Sequence, residues 1–166
     1  MQKTKKFLAP FIVALLFASL IMSCDEKGQE MTESPATPAF DLATAKAEIE
    51  AANKEFMALL AAGDSVGLAN YYTQDAKFMN AGAPAVSGRK NIQSAMSGII
   101  QSGITKVDLR LNDAWGTGDL LVEEGELSLF AGDAEVAQEK YIVVWKKEDG
   151  KWKLFRDIFN SNLPPQ

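Results

Sequence analysis

The apolar positions change their spacing along the chain, and each change marks a different kind of element. From Phe7 to Met22 they are continuous, and from Asp25 to Ala39 they have no period at all. Beyond Asp41 they recur at helical spacing as Ile49, Ala52, Phe56, Leu59 and Leu60, with Asp41 placed to cap the helix and Gly63 to end it. Asp64 or Ser65 then caps a second, short helix that runs through Leu68 to Tyr72. Ala76, Phe78 and Asn80 alternate with Lys77 and Met79, which predicts a strand with Phe78 and Asn80 on one face. Gly82-Ala83-Pro84 turns the chain, and Gly88 leads into a third helix whose stripe is Ile92, Met96, Ile99 and Ile100, stopped by Gly103.

After Gly103 the period is two. Val107, Leu109 and Leu111 alternate with charged and amide residues, and Gly116 to Asp119 makes a turn. In the next strand Leu121, Leu127 and Leu129 share one face, with Val122, Glu124, Glu126 and Ser128 on the other. A turn at Ala131-Gly132-Asp133 follows. The run from Tyr141 to Lys147 is apolar on both faces, as in a strand covered on both sides. Glu148 to Lys151 is a hairpin turn, and Trp152 to Asn160 closes the domain. Helix, helix, strand, helix and a four-strand meander predict an α+β domain over 41–163, with three N-terminal helices on a mostly antiparallel sheet and one core.

The opening segment is of another kind. Lys3, Lys5 and Lys6 precede a largely apolar run of 16 residues from Phe7 to Met22, and Ser23-Cys24 follows. That is the layout of a secretory signal over 1–23, and it falls short of the 18 or more apolar residues of a spanning helix. Ile21-Met22-Ser23-Cys24 resembles the bacterial lipobox, in which the cysteine becomes the lipidated first residue; the alternative is an ordinary signal with an incidental cysteine. Residues 24–40, small and polar with two prolines, read as a lipidated cysteine and flexible tether. The expected place is a bacterial cell envelope, membrane-anchored, with the periplasmic and surface-exposed sides both open.

Charge and composition narrow the chemistry. Loss of residues 1–23 removes three of the 17 basic residues and none of the 22 acidic ones, leaving 14 against 22, or −8. Such a surface repels phosphate backbones, so no nucleic-acid partner is expected. The chain has no histidine, which excludes histidine-based zinc sites and Ser-His-Asp or Cys-His catalysis. Cys24 is the sole cysteine, and once acylated it leaves no thiol for a disulfide or a metal. No cofactor and no metal are expected.

The runs ANKEFMALLAAGD, LANYYTQDAKFM, SGRKNI, LVEEG and KYIVVWKKEDGKWKLFRDIFNS, in this order and spacing, resemble the nuclear transport factor 2-like superfamily, in its SnoaL-like and ketosteroid-isomerase-like branch. The resemblance covers about 41–162 and implies a curved sheet wrapping the helices into a cone, an apolar pocket for a small molecule, and dimerisation through the sheet. The branch's catalytic base falls on Asn80, five places after Asp75, and its oxyanion-hole tyrosine falls on Phe56, seven places before Gly63. An amide cannot take up a proton at neutral pH, so steroid-isomerase chemistry is not supported. The lack of histidine likewise excludes the superfamily's His-Asp dehydratase pair.

The pocket residues this implies are Phe56, Tyr72, Phe78, Asn80, Met96, Trp145, Arg156 and Asp157, with Tyr72 and Trp145 at the mouth. Asn80 either binds a ligand deep in the cavity or ties down a loop. Asp75 reads as a structural brace, with Arg89 as its ion-pair partner. Arg156 and Asp157 are neighbours, so in a regular strand only one points inward, and a bulge would reverse the choice. An inward Asp157 in a dry pocket would be a candidate general base or acid. Glu123, Glu124 and Glu126 read as a solvated sheet face. Three functions remain open: a binder of a small apolar or amphipathic molecule, an isomerase, cyclase or hydrolase using Asp157 with Asn80 and Tyr72, and a protein-docking module whose own side chains fill the pocket.

Overall fold

The computed structural model describes residues 39–163. The signal segment, Cys24 and all but the last two residues of the tether lie outside the described residues. Asp41 caps α1 (Leu42–Ala61), its side chain accepting from the Ala43 amide at 3.1 Å. The helix ends through Ala62 into Gly63, whose φ of +72° suits a residue without a Cβ. Asp64 caps α2 (Ser65–Asn70) by accepting from the Gly67 amide at 2.8 Å. Tyr72, expected at the end of this helix, instead opens β1 (Tyr72–Asn80). Its carbonyl accepts from Arg89 Nε at 2.7 Å and it pairs with Leu154, so distant partners extend the backbone there. A two-residue strand that alternation cannot reveal, β2 (Val86–Ser87), pairs with β1 before α3 (Arg89–Gln101) begins.

The meander follows as β3 (Lys106–Thr117), β4 (Leu120–Ala131), β5 (Ala134–Glu148) and β6 (Lys151–Ser161). The single sheet has the order β2-β1-β6-β5-β4-β3. Every pairing is antiparallel except β1 with β6, which is parallel. The fold is the expected α+β arrangement, three helices and a curved, mostly antiparallel sheet.

Register shifts account for the curvature. They fall between Tyr72 and Lys77 on β1, between Leu111 and Asp113 on β3, between Leu129 and Phe130 on β4, and between Val144 and Trp145 on β5. Each adds local bend and twist to its strand pair. At the last of these, Val144 faces Arg156 and Trp145 faces Leu154, so Phe155 is the extra residue of β6. The alternation therefore skips a step. Trp152, Leu154 and Asp157 are buried, while Ile158 is exposed and Arg156 half-buried, its guanidinium 3.6 Å from the Phe155 ring centre. The bulge settles the open choice: Asp157 points inward and Arg156 outward.

The core lies between the helices and the sheet's concave face. Ile49, Leu68, Ile92, Leu121 and Trp145 are fully buried in it. The buried stripe of α1 runs Ala45, Ile49, Asn53 and Leu60, at the spacing of one helix face with a single amide in its middle.

Gly88, which joins β2 to α3, has φ +83° and ψ 142°, a backbone region open essentially to glycine. A Cβ there would meet nothing closer than the Gln74 carbonyl at 3.6 Å, so space is not the obstacle. Gly88→Ala should therefore destabilise by backbone strain alone, about 1–3 kcal/mol. Urea unfolding should show a lower midpoint with an unchanged slope.

Candidate functional site

Between α1, α3 and the concave face lies a cavity of about 290 Å³. Its walls are apolar: Phe56 and Leu60 from α1, Met96 and Ile99 from α3, and Val107, Leu109, Leu127, Leu129, Val143 and Leu154 from the sheet. A chain of aromatic rings runs along one side, with centroids 6.3 Å apart for Phe56 and Tyr72, 6.4 Å for Tyr72 and Phe78, and 5.0 Å for Phe78 and Phe159. Asn80 and Ser102 are the exposed lining residues, and Asn80 pairs with Phe159, which pairs with Tyr141 two residues from half-buried Glu139, so these mark the open end.

Asp157 is the carboxyl that the bulge turns inward. It stands beside Phe78 of β1 and Val143 of β5, and it is buried. Tyr72 Oη donates to its Oδ2 at 2.6 Å. Burial raises the carboxyl's pKa from 3.8 to about 6; the Tyr72 hydrogen bond works against this, and the nearby Glu123 adds to it. The Tyr72 phenol, fully buried beside that carboxyl, is held well above its ordinary value, burial being the larger cause. Tyr72 thus sits inside the cavity, not at its mouth.

A second carboxyl lies behind the wall. Glu123, expected on the solvated face with Glu124 and Glu126, is fully buried. Glu124 and Glu126 are exposed, as expected. Glu123 shares parity with Leu121 and Leu127, and three donors make its burial tolerable: Asn53 Nδ2 and Tyr141 Oη on Oε1 and Trp145 Nε1 on Oε2, each at 2.7 Å. Desolvation pushes its pKa up, and these hydrogen bonds oppose the shift. Tyr141 reaches it because its cross-strand neighbour is Gly125. A Cβ on Gly125 would stand 2.4 Å from the Tyr141 phenol oxygen. Asn53 and Tyr141 both line the cavity, so Glu123 acts on it through them.

Of the residues expected in the pocket, Phe56, Tyr72, Phe78, Asn80, Met96 and Asp157 line the cavity; Trp145 and Arg156 do not. Trp145 is fully buried, with its indole nitrogen committed to Glu123. Arg156 donates to the Asp75 and Phe155 carbonyls at 3.2 and 2.7 Å on the convex side. Asn80 is at the rim and not deep, and its side chain makes no hydrogen bond among the described residues. Asp75 lies within β1 and accepts from Thr73 Oγ1 at 2.9 Å. Its expected partner Arg89 pairs with Glu148 instead.

Sequence reasoning missed Asn53, Glu123, Glu139 and Tyr141. The signals were present as parity. Asn53 follows Ile49 by one helical step, Glu123 lies between inward Leu121 and Gly125, and Glu139 extends the inward set Tyr141, Val143 and Trp145. Among the described residues no group of three acidic, cysteine or histidine side chains is arranged to hold a metal ion.

Residues 53–155 match the family model described as the SnoaL-like domain. No protein of curated function matches the sequence. Among solved structures the chain is similar to a protein of unknown function from Mycobacterium tuberculosis, at 16% identity and TM-score 0.63, covering 72% of each chain. It is also similar to a nuclear transport factor 2-like protein with a cystatin-like fold from Novosphingobium aromaticivorans, at 15% identity and TM-score 0.63, covering 73% of this chain and 84% of that one. A ketosteroid isomerase-like protein from Erwinia carotovora atroseptica follows at 18% identity and TM-score 0.60, with 71% and 96% covered. At these identities the likeness shows the fold alone.

Asp157 keeps its proton in the folded state to about pH 6, whereas the unfolded chain releases it near 3.8. The folded state binds more protons in that window, so this group's contribution falls as pH rises through it. Asp157→Asn should remove the loss. The variant should gain on wild type by on the order of 2 kcal/mol between about pH 4 and pH 7. Urea unfolding at the two pH values checks this, and a pH-independent difference would count against a proton on Asp157.

Proposed function

The chain belongs to the SnoaL-like domain family, and we propose that it binds a small, largely apolar or amphipathic molecule in its cone cavity. The observation that carries this reading is the cavity itself, about 290 Å³ of apolar-walled space with the Asp157–Tyr72 pair turned into it. That volume approaches the range of small-molecule sites, and a few placed polar groups in an apolar wall are their common pattern. It speaks against a pocket plugged by its own side chains, the premise of the docking-module alternative.

A second reading, an enzyme, is favoured by the protonation of Asp157. A carboxyl that titrates at about 6 can hold or take a proton near neutral pH. Asp157 would be the acid or base, of isomerase, cyclase or hydrolase type, and Tyr72 would polarise the ligand or hold the carboxyl in place. Asn80 stands two register steps along β1 from the position facing Asp157, about 7 Å, and would contact the same ligand nearer the rim.

For its setting, we propose an exported protein tethered to a bacterial envelope membrane by lipid on Cys24, and a homodimer through the convex sheet face. Support for the dimer is the apolar row of Trp115, Val122 and Val144, paired in register across three strands, with Ile158 beside it. Trp115 and Ile158 are 45% and 41% exposed, high for large apolar side chains in mid-sheet. Acidic Glu124 lies toward β3, and basic Lys77 and Arg156 toward β1, an arrangement that a two-fold axis can pair.

A thermal-shift screen against apolar metabolites should give a hit worth about 2.7 kcal/mol at a hundredfold excess over the dissociation constant. Asp157→Asn should leave that binding within about threefold, and abolish turnover if the ligand is a substrate. A screen without hits on folded protein would count against the pocket. Separately, Cys24→Ala should move the protein from the membrane fraction to the soluble fraction; unchanged fractionation would count against the lipid anchor.

A further inference from the structure

The charged groups on the cavity wall all have one sign. Glu139 and Asp157 line it, Glu123 stands behind Asn53 and Tyr141, and neither lysine nor arginine contributes to the lining. Lys140, the nearest base in sequence to Glu139, turns the other way and donates to the Ser161 carbonyl and Asn162 Oδ1, both at 3.3 Å. An anionic ligand would find neutral donors such as Asn80 and Ser102 on the wall but no cation, and the charges it met would all be carboxylates.

Glu139 is moreover unsatisfied. Its Oε2 is buried and without a hydrogen-bond partner, and Glu139 takes part in no ion pair among the described residues. It sits opposite Leu127 on β4, with Leu129 and Phe159 also lining this end of the cavity. Burial alone shifts its pKa upward, with no neighbouring cation to oppose it. An acceptor kept from water and given no donor is costly to the free protein, and a bound donor would remove that cost. At the other end, Asp157 is also buried, and its Oδ1 receives no hydrogen bond from a described residue. The two carboxyls are four residues apart along β5, since Asp157 pairs with Val143, which gives a span of about 13 Å.

We infer that the cavity's ligand is an apolar molecule carrying a protonated amine, and that Glu139 at the open end is the residue that selects it. This rests on the pocket reading above and narrows it to a class. The apolar body fills the space among Phe56, Phe78, Leu127 and Val143. The ammonium stays near the rim, where Glu139 accepts from it and water still reaches its remaining hydrogens. A carboxylate or phosphate in its place would face Glu139 without a counter-charge.

A matched series tests the inference: octylamine, octanol and octanoate, titrated calorimetrically into the purified protein near neutral pH. Octylamine should bind at least about tenfold more tightly than octanol, and octanoate more weakly than both. In Glu139→Gln the amine should lose this advantage while octanol affinity holds. If octanol or octanoate binds as tightly as the amine, the pocket stands and the inference falls. If the amine preference survives Glu139→Gln, selection by Glu139 is wrong. If none of the three binds, the pocket reading falls together with the inference.

Discussion

A carboxyl group shut away from water must be supplied with donors, and Glu123 takes its three from two layers of the molecule. Asn53 reaches it from α1, and Tyr141 and Trp145 reach it along β5. The apolar contacts between helix and sheet set no unique register, since leucines and isoleucines can slide past one another at modest cost. Three hydrogen bonds of 2.7 Å to one carboxyl cannot slide. Breaking any one leaves a buried charge or dipole partly unpaired. Glu123 thus fixes how α1 lies on the sheet, and the Asn53 and Tyr141 side chains it holds become part of the cavity wall. Gly125 belongs to the same device, because it gives up a side chain so that the phenol can lie against the strand.

The cavity is thereby furnished with two phenol–carboxyl pairs, Tyr72 with Asp157 and Tyr141 with Glu123. They are not equivalent. Glu123 has three donors and no place on the cavity wall, so it positions other groups. Asp157 has one donor and a place on the wall, so of these two carboxyls it is the one exposed to the cavity. The nearby Glu123 also adds to the upward shift at Asp157.

Elements governed by neighbours in sequence were legible from the sequence. The caps at Asp41 and Asp64, the glycine entry at Gly88 and the hairpin at Glu148 to Lys151 depend on local backbone geometry, and they lie where the residue types indicate. What depends on distant partners was not legible. Tyr72 extends into β1 because Leu154 and Arg89 hold it there, and β2 is too short to carry a period. Alternation along β6 could not choose between Arg156 and Asp157, since the extra residue at Phe155 is visible only against β5. Glu123 was misplaced for a related reason. A glutamate's type argues for solvent, and its donors lie 18 to 70 residues away. The family resemblance supplied the cone and a minority of the cavity wall, whereas the chemistry of the wall came from these long-range contacts.

The parallel pairing of β1 with β6 also sets an order in time. Tyr72 and Asp157 are separated by 85 residues, and the strand that carries Asp157 is the last element among the described residues. During synthesis the helices and the β3–β4 hairpin can form as they emerge, yet β1 has no main neighbour until the final strand arrives. The cavity therefore stays unmade until β6 has emerged and paired with β1. For a protein proposed to leave the cytoplasm, such lateness is useful: a chain that cannot close early is still a thread when it reaches the translocation pore.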